Sequence, residues 1–188
     1  MAWGVIWLLM NIFVRGSNAS AEATADEIAT LLKDAQTSFE KQEFIASYEA
    51  YRKVLAIDPM HQAAREKIYE IVTIYKTLEE TARAANDEER ADMFQRQHRT
   101  IIKEMLNIFT LQLEKQLTIY TDLKAKAKQG DDVQKQITTE LEYIITTLQQ
   151  LKYMYVEFPR EPAKAEKMVE RIDKTLTAYQ NELATYKK

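Results

Sequence analysis

The stretch from Leu31 to Arg65, LLKDAQTSFEKQEFIASYEAYRKVLAIDPMHQAAR, decides the fold. Leu31, Leu32, Ala35 and Phe39 fall on one face at the helical period, the polar break Glu40-Lys41-Gln42-Glu43 follows, and Phe44, Ser47, Tyr48, Tyr51, Val54 and Leu55 resume the period. The pattern is a helix, a tight turn and a second helix. Asp58-Pro59 then offers an N-cap carboxylate and a proline at a first helical position, so a third helix is expected to begin at once.

Working outward, the hairpin repeats in weaker form. Ala63, Ala64, Ile68, Ile71, Val72, Tyr75, Leu78 and Ala82 predict a longer helix ending near Ala85. Asn86-Asp87-Glu88-Glu89 reads as a cap followed three residues later by Glu, and Ala91 and Phe94 restart the period. Small Ala35, small Ser47 facing it, aromatic Tyr51, Val54 and the closing Ile57-Asp58-Pro59 resemble a tetratricopeptide repeat over about residues 28–61. A second unit over about 72–99 resembles the same family through Tyr75, Leu78, Ala82, Asn86 and Ala91. It departs from the pattern at Glu79 and Gln95 and has no closing proline. The resemblance implies stacked helical hairpins that bind a partner's peptide or helix. By the same match, the residues lining the binding face would be Leu32, Gln36, Phe39 and Glu40 in the first unit and Lys76, Glu80 and Arg83 in the second.

Beyond Arg99 a different regularity takes over. Ile102, Leu106, Phe109, Leu113, Gln116, Tyr120 and Leu123 are spaced by four and three, a coiled-coil seam with one polar member. Gly130 is expected to end that helix as a left-handed cap, with Asp131 or Asp132 starting the next. Val133, Ile137, Leu141, Ile144, Leu148, Leu151 and Tyr155 form a second seam, Phe158-Pro159-Arg160-Glu161-Pro162 breaks it, and a third runs from Met168 to Tyr186. Short connections make neighbours antiparallel. The expected architecture is therefore all-α, with TPR-like helical hairpins at 22–99 followed by a three-helix antiparallel coiled-coil-like bundle at 100–188. Repeat hairpins leave an apolar face open, and such a bundle would cap it.

Ala2 to Val14, AWGVIWLLMNIFV, is an apolar run of 13 residues interrupted by Asn11, shorter than the roughly 20 residues a helix needs to cross a bilayer. Ala19-Ser20-Ala21 gives the small-x-small pattern of a signal-peptide cleavage site, which would place the cut before Glu22, although no Lys or Arg precedes the run. Residues 1–21 are thus read as a signal peptide, with an uncleaved membrane anchor and an amphipathic or buried segment as the alternatives. The Asn18-Ala19-Ser20 triplet is a glycosylation acceptor pattern within the part expected to be removed. The chain is expected to be exported, either periplasmic or held at the membrane by this segment.

Composition narrows the function classes. Of 188 residues 46% are hydrophobic, enough for one sizeable core or two small helical ones, and the three glycines are too few for a turn-rich β fold. Lys and Arg total 26 against 29 Asp and Glu, interspersed, which argues against nucleic acid as the partner. With no cysteine there is no disulfide, thiolate metal site or catalytic thiol. The two histidines, His61 and His98, are preceded three residues earlier by Asp58 and Gln95, so the paired Glu-x-x-His of a carboxylate-bridged di-metal bundle is missing. His61 is expected at the surface and His98 on the inner face of its helix. Adjacent carboxylates such as Glu79-Glu80 and Glu88-Glu89 diverge by about 100° around a helix and cannot face one substrate. The expectation is a non-enzymatic module without cofactor or metal, binding protein and touching membrane only through an uncleaved N-terminal segment. The alternative is a structural coiled-coil protein that self-associates as a homo-oligomer or joins another helical assembly.

Overall fold

The computed structural model describes residues 24–159 and 161–187. The apolar run, the cleavage pattern and the glycosylation triplet lie outside them. Among the described residues the chain is all-helical: α1 (24–40), α2 (Phe44–Ile57), α3 (Gln62–Ala84), α4 (Glu88–Lys128), α5 (Gln134–Glu157) and α6 (Pro162–Tyr186). No described helix is long and apolar enough to cross a membrane. Two compact units divide the chain between Ile74 and Tyr75, inside α3. Residues 99 and 100, where the sequence regularity changes, lie within α4, one helix of 41 residues.

In the first unit the helical hairpin forms where the sequence sets small residues opposite one another. Ala35 and Ser47 are buried, and the Ser47 hydroxyl donates to the Ala35 carbonyl at 2.9 Å, a contact that a larger side chain at either position would prevent. Tyr48, Tyr51, Val54 and Leu55 complete the buried face of α2. The turn closes by a Schellman motif: Glu43 N–H donates to the Ser38 carbonyl at 2.9 Å, Gln42 N–H to the Phe39 carbonyl at 2.9 Å, and Gln42 takes φ 62°. α3 starts later than Asp58-Pro59 suggests. The Asp58 carboxylate accepts from Met60 N–H at 3.0 Å in a local turn, and His61 becomes the cap, its Nδ1 accepting from Ala64 N–H at 3.3 Å. His61 is accordingly half-buried rather than fully at the surface.

In the second unit the three long helices run up, down and up. α3 ends in another Schellman turn with Asn86 at φ 57°, so Asn86 closes α3 instead of opening α4. Asp87 is the N-cap, accepting from Arg90 N–H at 3.2 Å, and Glu88 and Glu89 stand in the first turn where the helix dipole favours them. Gly130 ends α4 as expected at φ 96°. α5 begins after Val133, not after either aspartate; Val133 belongs to the buried seam, and that burial sets the start. Along α4, Ile102, Phe109, Gln116, Tyr120 and Leu123 are buried, with Ile101 and Met105 widening the stripe. α5 buries Ile137, Leu141, Ile144, Leu148 and Leu151, and α6 buries Ile172 and Leu176. Gln116, the polar seam member, accepts from the Thr147 hydroxyl at 2.9 Å. Lys124 reaches Glu182 at 2.6 Å, joining α4 to α6 beside the edge-to-face pair Tyr120–Tyr179.

Candidate functional site

Of the four residues expected to line a binding face in the first unit, two, Gln36 and Phe39, make contacts that hold the hairpin together. The Gln36 carbonyl oxygen accepts from the Tyr51 hydroxyl at 3.3 Å, and its amide donates to Glu40 at 2.9 Å. Burial pushes the Tyr51 phenol up, Lys67 acting in the opposite sense, so the phenol stays a donor. Phe39 meets Phe44 edge-on at 5.6 Å between centroids, and the Lys67 ammonium lies 4.6 Å from the Phe39 ring centre. Leu32 is half-buried and Glu40 exposed.

In the second unit the three expected residues separate. Arg83 sits in a knot of carboxylates, 3.3 Å from Glu79, 3.2 Å from Glu88 and 3.8 Å from Asp92, so its charge is already answered within the chain. Lys76 and Glu80, one turn apart on α3, instead line a cleft of about 360 Å³ with Gln95, His98 and Arg99 of α4. Phe158 and Pro159, from the connection between α5 and α6, complete its wall. Glu79 organises the inner side: one carboxylate oxygen accepts from the Gln95 amide at 2.9 Å and from Arg83, and the other lies 3.9 Å from His98 Nδ1. The His98 ring packs edge-on against Phe158 at 5.9 Å, and Tyr153 meets Phe158 likewise at 6.1 Å.

The electrostatics of this cleft are asymmetric. Burial holds the His98 imidazole below its ordinary pKa, Glu79 opposes that shift, and Lys76 and Arg99 add to it. His98 Nε2 is buried without a hydrogen-bond partner. Among the described residues neither Lys76 nor Arg99 forms an ion pair. Glu80 and Glu157 also line the cleft, but neither is among the charges that act on His98. Lys76 and Arg99 thus stand near His98 without an ion pair, beside the apolar Phe158, in a lining that also carries the carboxylates Glu79, Glu80 and Glu157. Such an arrangement suits a carboxylate whose neighbour is apolar. Arg99 and Phe158 escaped the sequence reading. Arg99 marks only the end of the repeat resemblance, and Phe158 is brought to His98 from sixty residues further along the chain by the return of α5 on α4.

Among the described residues no group of three or more His, Cys, Asp or Glu side chains stands close enough to hold a metal ion. No protein-family model, curated protein or solved structure matches the chain.

Proposed function

We propose that this chain is a non-enzymatic protein-binding module of the cell envelope, receiving a partner segment on its tetratricopeptide-like helices. The observation that carries the reading is the pair Lys76 and Arg99, neither in an ion pair among the described residues, in the lining of a cleft walled by Phe158. A partner segment would place an acidic side chain between the two cations and an apolar neighbour against Phe158, the arrangement by which interfaces combine an anchor with charge complementarity. Export follows from the N-terminal segment in this reading, and scaffold work from the absence of any paired acid–base or nucleophile pattern in the sequence.

The test uses short capped peptides carrying one leucine flanked by two glutamates, two glutamines or two lysines, titrated against the full chain. The glutamate peptide should bind at least about tenfold more tightly than the glutamine peptide, the scale of one charge-assisted hydrogen bond. Lys76→Glu with Arg99→Glu should abolish that preference. Arg83→Glu should leave it intact while lowering the melting temperature, because Arg83 is committed to Glu79, Glu88 and Asp92. Equal binding of all three peptides, or a preference untouched by the double reversal, overturns the reading.

A further inference from the structure

We propose that the N-terminal end of α3 binds a singly charged oxyanion, held between the Arg65 guanidinium and the backbone N–H groups of Gln62 and Ala63. The site lies wholly within the first unit and shares no residue with the cleft at His98.

Arg65 is the residue that points to a ligand. Only 7% of its surface is exposed, yet among the described residues no carboxylate stands within ion-pair distance and no backbone carbonyl accepts from its side chain. Its guanidinium makes one hydrogen bond, from Nη1 to the Met60 thioether at 4.0 Å. Sulfur is a weak acceptor and carries no charge. Burying a cation this far without an anion is costly, and a guanidinium cannot relieve the cost by shedding its proton. An anion arriving from solvent can. Nε and Nη2 are the open donors: among the described residues neither has a partner, and neither is fully enclosed.

The guanidinium is aimed at the helix end. Helical side chains lean toward the N-terminus, and Arg65 stands three residues after Gln62 and four after His61, so its stem runs between them. The contact with Met60, two residues before α3 begins, fixes the guanidinium at that level. There Ala64 N–H donates to His61 Nδ1 and Arg65 N–H to the His61 carbonyl, whereas the N–H groups of exposed Gln62 and Ala63 donate to nothing among the described residues. Two guanidinium and two backbone donors thus meet at the positive end of a helix of 23 residues, the chemistry that receives an oxyanion. Charge limits which one. Asp58 accepts from Met60 N–H at 3.0 Å and Glu66 from the Gln62 amide at 2.7 Å, so two carboxylates stand beside the site and disfavour a dianion. A carboxylate or a phosphodiester carries the single charge and the paired oxygens that remain suitable.

The experiment titrates the isotope-labelled full chain with sodium acetate and with sodium dimethyl phosphate, sodium chloride balancing the ionic strength, and follows it by amide NMR. The Gln62 and Ala63 amides and the Arg65 Nε–H should move together and saturate, and chloride alone should not move them. Tighter binding of acetate assigns the ligand as a carboxylate, tighter binding of dimethyl phosphate as a phosphodiester. Arg65→Met, which keeps the volume and removes the charge, should weaken binding at least about tenfold, the scale of one charge-assisted hydrogen bond. Arg65→Lys keeps the charge without the fork and should weaken it less, and this variant carries the test if Arg65→Met does not fold. No saturable shift at Gln62 and Ala63 with either anion, shifts scattered elsewhere along the chain, or parental affinity in the folded variants would each overturn the proposal.

Discussion

Gln42, Asn86 and Gly130 close three helices with left-handed backbone, and each poses a separate question of conformational cost. Gln42 carries a side chain at φ 62°, where an L-residue is strained by roughly 1 kcal/mol relative to glycine, so Gln42→Gly should raise stability by about that amount in denaturant melts. Gly130 stands at φ 96° with open space around the missing Cβ, so Gly130→Ala should lower stability by about 1–2 kcal/mol through the backbone alone. His98 gives a pH-dependent counterpart. Its pKa is depressed in the folded chain below the ordinary 6.5, so the unfolded chain takes up the proton first. The contribution is complete above pH 6.5 and is lost as the pH falls from there through the folded-state value. His98→Gln should therefore flatten the fall of melting temperature with acidity below pH 6.5, whereas an unchanged pH profile would mean the ring is solvated.

Within the long helices the polar pair Gln116–Thr147 shows how a seam can specify alignment. The hydrogen bond is buried in an otherwise apolar contact between α4 and α5, so breaking one partner leaves a desolvated group behind. Gln116→Leu alone should cost about 1–3 kcal/mol, while Gln116→Leu with Thr147→Val should recover most of the loss, because no orphan remains. A double variant as unstable as the single would show that volume, not satisfaction, controls this site. The helices themselves were legible in the sequence because their signals are local. The four-and-three spacing from Ile102 to Leu123 marks a face, and Gly130 and Pro162 mark ends. Caps were less so. Asp58 looked like the start of α3, yet its carboxylate serves Met60, and the neighbouring His61 takes over the cap. Val133 overrode two better capping aspartates because an apolar side chain there is worth more buried than Asp131 or Asp132 is worth as a cap.

Across the molecule, the all-helical order is what the sequence makes legible. Tyr75, Leu78 and Ala82 continue the period of Ile68, Ile71 and Val72 without interruption, and nothing local marks Ile74 as the last residue of one unit. The candidate cleft was half legible. Lys76 and Glu80 were found from the repeat pattern, but the pairing that neutralises Arg83 and the arrival of Phe158 depend on tertiary return. The unbroken course of α4 has a further use as a ruler. The chain has no cysteine, so two can be introduced without competition, at exposed Arg96 and Asp122 on either side of residue 99. Spin labels there should report one narrow distance near roughly 39 Å, the span of 26 residues of straight helix at 1.5 Å each. A shorter or broad distribution would show the rod to be jointed where the sequence regularity changes.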